Sequence, residues 1–181
     1  MACLIWCSNA TRPQLGDVST GVGTVCGMSD DKWLTADEQS AWRALQTMQA
    51  RLGAELNARL LSDSELSLSD YAVLVHLTDE PSGRLRLFEL ANEIGWERSR
   101  LSHHIARMAK RDLVEKVACD KDRRGAYVAI TEEGRQAISL AAPRHVATVR
   151  QLVIDQLTPA ELSVIRSVSN RVLATIDQHA E

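Results

Sequence analysis

The chain has 181 residues, 45% of them hydrophobic and 25% charged, with a net charge of −3 at pH 7. This size and composition suit one globular domain with a substantial core. No apolar run approaches the roughly 18 residues of a membrane span, and residues 1–27 lack the leading charge of a secretory signal. We therefore expect a cytoplasmic protein that does not use a membrane as a partner.

The cysteines give no sign of a metal site. Cys3, Cys7, Cys26 and Cys119 do not form the paired CxxC pattern of structural zinc. The spacing of Cys3 and Cys7 would also suit a metal or a disulfide, but reduced thiols in an irregular tail are the simpler interpretation. We expect no metal and no cofactor.

The first third of the chain is predicted to be an arm followed by two helices. Residues 1–30 are rich in Gly, Ser, Thr and Pro without periodicity, which predicts a disordered arm. Thr35 and Glu38 form a capping box that starts a long helix to about residue 61. Its apolar positions recur at three- and four-residue steps: Trp42, Leu45, Met48, Leu52, Leu56 and Leu60. Ser67 and Asp70 repeat the box and start a second helix, which Pro81 ends.

The middle of the chain has the element order of a winged helix-turn-helix. Residues 84–86 suit an edge strand, and residues 87–94 suit a helix that Gly95 ends in a left-handed conformation. A further helix covers about residues 97–111, followed by a hairpin of residues 113–119 and 126–130. On that helix Leu101, Ile105 and Met108 are predicted to face inward. The outward positions are Ser99, Ser102, His103, Ala106 and Arg107.

Positive charge is concentrated in this region. Residues 98–124 contain nine Lys or Arg and four Asp or Glu, a net charge of +5, although the whole chain is acidic. Such an arrangement predicts a local anion-binding face.

Two helices are predicted to complete the chain. Thr131 caps the first, with Glu132 and Glu133 in its opening turn. Thr158-Pro159-Ala160-Glu161 is a typical start signal for the second, which carries apolar residues at helical spacing as far as Ile176. The predicted fold class is therefore mainly α with a small β-hairpin wing.

Several motifs together resemble the MarR family of bacterial transcription regulators. They are R-L-F-E-L-A at 86–91, R-S-R-L-S-H-H at 98–104, K-R-D-L-V at 110–114, and D-R-R-G at 122–125 followed by I-T-E-E-G-R at 130–135. The last block is the most specific. Leu87-Phe88 departs from the family, which often has a polar helix-start residue there. The resemblance covers about residues 35–179.

The resemblance implies a homodimer and a division of labour along the chain. Residues 31–181 would form a MarR-type domain, with a DNA-binding winged helix at 66–134 and dimerisation helices at 35–61 and 135–179. The apolar stripes of those helices exceed what one small core needs, which independently favours a dimer. Burial of the stripes within a single chain is the alternative.

The expected DNA contacts lie on the recognition helix and the wing. Arginine can grip guanine with two hydrogen bonds in the major groove, and cationic wing residues suit the negative potential of a flanking minor groove. The candidates for DNA binding are Arg98, Ser99, Arg100, Ser102, His103, Arg107, Lys121, Arg123 and Arg124. Arg107, together with Lys110, is expected to meet phosphates.

Regulators that this chain resembles often respond to a small aromatic or phenolic effector. Trp42, Tyr71 and His76 are candidates to line such a pocket, although each is also consistent with plain packing. Cys119, on the wing strand, could sense oxidation or be an inert thiol.

The function indicated is a sequence-specific, DNA-binding transcription regulator: a ligand-responsive repressor that binds a pseudo-palindromic operator as a homodimer. An enzyme is disfavoured because H-E-x-x-H, G-x-S-x-G and P-loop motifs are absent. The alternative is a winged helix that serves only protein contacts, which would leave the positive charge unexplained.

Overall fold

Six helices and a small sheet make up the part of the chain that the computed structural model describes, residues 33–118 and 126–179. The helices are α1 (Ala36–Ser64), α2 (Leu68–Asp79), α3 (Leu87–Ile94), α4 (Arg98–Ala109), α5 (Glu132–Leu152) and α6 (Pro159–Gln178). The strands are β1 (Arg84–Arg86), β2 (Val114–Ala118) and β3 (Ala126–Ile130). A single 3₁₀ turn, Ile154–Gln156, connects α5 to α6. The predicted fold class is confirmed; the predicted arm lies outside the described residues.

Side-chain caps start the helices at the positions that the sequence indicates. The hydroxyls of Thr35, Ser67 and Thr158 each accept a hydrogen bond from the backbone N–H three residues later, and the acid at that position returns one. Thr131 caps α5 in the same way through the N–H of Gly134. These bonds satisfy N–H groups that would otherwise lack a partner in the first turn.

The sheet is antiparallel, in the order β1-β3-β2. Arg84 lies opposite Ala129, and Val114 lies opposite Ile130. β1 is therefore the edge strand that the sequence predicts, and β3 is central. The sheet turns Leu85, Val114, Val128 and Ile130 into the core.

The core lies between α2, α3, α4 and the sheet, with the ends of α1 and α5 packed against it. Val73, Leu74 and Leu77 of α2 belong to the same core as Leu101, Ile105 and Met108 of α4, and all six side chains are fully buried. Aliphatic packing dominates, as the single Phe and two Tyr of the chain require. This core fixes which face of α4 is left for a partner.

A glycine allows α5 to begin directly against the start of the wing. An alanine at Gly134 would drive its Cβ into the Leu113 carbonyl oxygen and within 2.9 Å of Ile130 Cγ1. Because backbone cannot move aside cheaply, we expect Gly134→Ala to lower the free energy of unfolding by about 3 kcal/mol.

Chemical denaturation at pH 7 measures this effect, with Gly53→Ala as the matched control. Gly53 lies within α1, and an added Cβ there would meet no atom within 4 Å. The control should gain about 0.5–1 kcal/mol from improved helix propensity. Equal responses of the two variants would contradict the close approach at Gly134.

No helix among residues 33–118 and 126–179 is both long and apolar enough to span a bilayer. The long helices nevertheless expose much apolar surface. No residue of α6 is buried, and six of its large aliphatic side chains are exposed: Val164, Ile165, Val168, Val172, Leu173 and Ile176.

Candidate nucleic-acid interface

The turn between α3 and α4 has the geometry of a helix-turn-helix. Gly95 ends α3 in the left-handed region, at φ 70°, where a side chain would be strained. The N–H of Trp96 then donates to the Ala91 carbonyl at 2.8 Å, which closes the turn. Glu97 precedes α4 without capping it through its side chain, and no acid occupies the first turn of α4. The N-terminus of α4 therefore keeps its positive end free for an anion.

The outward face of α4 collects the sequence-predicted contacts. The inward residues are Leu101, His104, Ile105 and Met108, all buried. Arg98, Ser99, Arg100, His103 and Arg107 are exposed, and Ser102 is half-buried. One face thus anchors the helix while the other presents three arginines, two serines and a histidine to solvent.

Two of these arginines lie against aromatic rings. The Arg100 guanidinium carbon is 4.4 Å from the Trp96 ring centroid, and that of Arg98 is 5.8 Å from the Phe88 centroid. Stacking on a ring restrains a long side chain and leaves the guanidinium edge free to donate. Phe88, which departs from the usual polar start of α3, is 41% exposed and lies under the Arg98 guanidinium.

A buried polar cluster that the sequence analysis missed lies beneath α4. Asp70 is 4% exposed; its Oδ2 accepts from Arg111 Nη1 at 2.8 Å and from the Ser67 N–H at 2.9 Å. His104 Nε2 lies 3.0 Å from Asp70 Oδ1, somewhat off the line of an ideal hydrogen bond. Arg111 also donates to the Glu65 carbonyl at 2.7 Å. The cluster therefore ties the end of α1 and the start of α2 to α4.

Hydrogen bonding keeps Asp70 ionised despite its burial. Burial by itself would raise the pKa of the Asp70 carboxyl, but the close approach of His104 and the hydrogen bonds from Ser67 and Arg111 together outweigh it and hold that pKa well below its ordinary value. An ionised carboxylate thus lies beneath α4, paired with the Arg111 guanidinium.

The cluster also reaches the outer surface. Arg107 Nη2 lies 2.9 Å from His104 Nδ1, so the guanidinium of an exposed residue is held by a buried ring. Lys110 is exposed at the C-terminal end of α4.

The wing is described only at its base. β2 and β3 pair as far as Ala118 opposite Ala126. The predicted wing-tip contacts Lys121, Arg123 and Arg124, and the candidate sensor Cys119, lie outside the described residues.

The three candidate effector residues lie in different surroundings. Tyr71 of α2 is half-buried, with its ring centroid 4.4 Å from that of His145 on α5. His76 Nδ1 faces Glu93 Oε2 of α3 at 3.2 Å. Trp42 is 48% exposed on α1, whose Leu56 and Leu60 line a small cavity together with His145. Fourteen residues of helix place Trp42 roughly 21 Å along the axis from Leu56, which lines that cavity with His145, the ring neighbour of Tyr71.

An apolar groove of about 970 Å³ runs between α1 and the α5–α6 junction. Met48, Leu52, Leu152, Leu157 and Ile165 supply its apolar lining.

Among residues 33–118 and 126–179, no three His, Cys, Asp or Glu side chains form a group that could hold a metal ion.

Comparison with known proteins agrees with this geometry. The family model described as transcriptional regulator SarA/Rot matches residues 55–140. No curated protein matches the chain.

Solved structures give the stronger likeness. AbsC, a MarR family transcriptional regulator from Streptomyces coelicolor, is 35% identical with a TM-score of 0.77, over 81% of this chain and 99% of AbsC. Sco3205, a MarR family transcriptional regulator from the same organism solved in complex with DNA, is 37% identical with a TM-score of 0.76, over 78% of this chain and 89% of Sco3205.

A third structure shares the fold at lower identity. Bordetella bronchiseptica BpsR, whose DNA binding is regulated by 6-hydroxynicotinic acid, is 22% identical with a TM-score of 0.64, over 74% of this chain and 98% of BpsR. The winged helix, the basic face of α4 and the identity to AbsC over nearly its whole length lead to one conclusion: this chain belongs to the MarR family of DNA-binding transcriptional regulators.

Proposed function

We propose that this protein is a cytoplasmic repressor that binds a pseudo-palindromic operator as a homodimer and releases it when a small effector binds. The main support for the DNA contacts is that α4 has a buried inner face and a basic outer face. In this proposal the winged helix spans residues 66–134, and residues 35–61 and 135–179 form the dimerisation helices. The proposed function includes no catalytic activity.

On DNA, α4 enters the major groove. Arg98, Ser99, Arg100, Ser102 and His103 read base edges, because they lie in the first two turns on the exposed face. Arg107 meets a phosphate, and the wing residues Lys121, Arg123 and Arg124 reach the flanking minor groove. Two such lobes related by a two-fold axis require half-sites about 10 bp apart.

The homodimer is proposed from the unpartnered apolar faces. α6 is 20 residues long and buries none of them, while α1 exposes Trp42, Leu45 and Met48. A helix of this length gains most of its stability from packing, so a partner must cover it. A second copy, with its own α1 and α6, offers a complementary surface of the same kind, as a two-fold interface requires.

The effector is proposed to be a small aromatic or phenolic molecule that binds beside Tyr71 at the junction of α2 and α5. Burial raises the pKa of the Tyr71 hydroxyl and lowers that of His145, so both rings are uncharged near pH 7. The adjoining cavity is only about 10 Å³, so an effector must part the two helices to enter. That movement would shift the winged lobe relative to the dimer helices. Trp42 and His76 would take part only from another protomer or another pocket.

Fluorescence anisotropy against DNA from upstream of the protein's own gene tests the DNA proposal. The wild type should bind tightly, resist scrambled competitor and weaken as salt rises, because binding releases condensed counterions. Arg100→Ala should weaken binding about 30-fold or more, since removing one base-reading side chain costs roughly 1–3 kcal/mol and a dimer has two copies of it.

Arg166→Ala is the matched control, with the same charge change on the exposed surface of α6. It should leave the affinity within about twofold of wild type. Salt-insensitive or absent DNA binding by the wild type would overturn the proposal in favour of a winged helix for protein contacts.

A further inference from the structure

Arg107 is an exposed residue of α4 whose guanidinium contacts the buried side chain of His104. Its Nη2 lies 2.9 Å from His104 Nδ1. A guanidinium can only donate, so Nδ1 must present its lone pair and the ring proton must be on Nε2. Nε2 in turn faces Asp70 Oδ1 at 3.0 Å. The geometry therefore assigns one tautomer to His104 and one role to each of its nitrogens.

The His104 ring is restrained on more than one side. His104 is 6% exposed, and the Trp96 indole lies edge-on to its ring, with centroids 5.4 Å apart and planes at 90°. Asp70 itself is fixed by Ser67 and by Arg111. The orientation of the imidazole is thus set by the core and does not depend on Arg107.

We propose that His104 is a positioning residue for DNA binding, which orients the Arg107 guanidinium toward a phosphate before DNA arrives. The inference rests on the proposed function and adds a residue that does not itself touch DNA. A free arginine side chain must lose rotamer freedom on binding, and that loss weakens affinity. The hydrogen bond from Arg107 to His104 already restrains this side chain in the free protein. Less rotamer freedom is therefore left to lose on binding, in both protomers.

Two amide substitutions separate the two sides of the ring. The side-chain amide of Asn is separated from Cα by the same number of bonds as Nδ1 of histidine is. His104→Asn therefore keeps an acceptor for Arg107 and no longer reaches Asp70. The amide of Gln corresponds to Nε2, so His104→Gln keeps a donor for Asp70 and loses the acceptor. We expect His104→Gln to weaken operator binding about tenfold, as two side chains lose their restraint. His104→Asn should stay within about threefold of wild type in affinity while it melts at a lower temperature.

A double-mutant cycle ties the effect to Arg107. Arg107→Ala should weaken binding equally on all sequences and lower the salt slope by about 0.9 for each phosphate that is no longer neutralised. In that background His104→Gln should have no further effect on affinity. The wild-type Arg98 guanidinium lies over Phe88, so His104→Gln should keep its full tenfold effect in the Arg98→Ala background.

The outcomes distinguish this inference from the proposed function. If wild type binds the operator and Arg98→Ala weakens it, but His104→Gln and Arg107→Ala add independently, the positioning role is wrong and the DNA function stands. Equal losses of affinity in His104→Gln and His104→Asn that follow their melting temperatures would reduce His104 to a structural residue and overturn the role. Absence of salt-sensitive DNA binding by wild type would overturn both.

Discussion

Val168→Glu is expected to convert the protein to a monomer and to weaken operator binding about 100-fold or more. Val168 is 42% exposed on the apolar face of α6, which has no buried residue in the single chain. In a two-fold interface the substitution introduces two carboxylates into apolar surroundings, each of which costs several kcal/mol unless it is paired. A monomer then binds through one lobe and loses the advantage of two linked half-sites.

Analytical ultracentrifugation and anisotropy on the same samples measure the two effects. Asn170→Glu is the matched control, since two residues of helix place it on roughly the opposite side of α6. It should leave the dimer and the affinity unchanged. A Val168→Glu variant that remains dimeric, or a wild type that is monomeric at micromolar concentration, would contradict the proposed interface.

Asp70→Asn is expected to lower the free energy of unfolding by about 3 kcal/mol at pH 7. The carboxylate is buried and contacts His104 and Arg111, and removing one member of a buried ionic group leaves the others uncompensated. The effect falls at the low end of the usual range because the Arg111 side chain is 43% exposed and can regain water.

The cost of Asp70→Asn should also depend on pH. Burial raises the pKa of Asp70, but the close approach of His104 and the hydrogen bonds from Ser67 and Arg111 outweigh it, so folding lowers that pKa below its ordinary value of 3.8. A carboxyl whose pKa is lower in the folded state contributes stability that is complete above its unfolded-state pKa. That stability is lost as the pH falls toward its folded-state pKa. The gap between wild type and variant should therefore be constant from about pH 5 to 7 and shrink below pH 4.

Urea titrations from pH 3 to pH 7 measure that gap. Asp155→Asn is the control: its Oδ1 contacts Arg150 Nη2 at 2.8 Å, but both side chains are about half exposed or more. It should change stability by less than about 0.5 kcal/mol throughout. A gap for Asp70→Asn that does not narrow in acid would mean that the carboxyl does not titrate as proposed.

Local signals in the chain account for much of the architecture. The boxes at Thr35, Ser67 and Thr158 predict where helices begin, and the structure confirms each start within one residue. Gly95 predicts the end of α3, residues 84–86 predict the edge strand, and residues 113–119 and 126–130 predict the hairpin. These signals work because the hydrogen bonds and side-chain contacts behind them span only a few residues.

His104 illustrates the limit of prediction from local sequence patterns. Its position, three residues after Leu101 and four before Met108, places it on the buried stripe of α4, and the periodicity alone could have found it. Its partner could not be found in this way. Asp70 is 34 positions earlier and already satisfies the pattern of a helix cap, which conceals its second role beneath α4.

The helices, the wing hairpin, the basic face and the family can be predicted from the sequence, since each depends on residues close together along the chain or on a specific motif. Tertiary packing alone brings Asp70, His104 and Arg111 together, places Arg107 against His104 and Gly134 against Leu113, and leaves α6 without a buried residue in the single chain. These contacts depend on how distant elements pack, and packing is set by the fit of many side chains at once rather than by any local pattern.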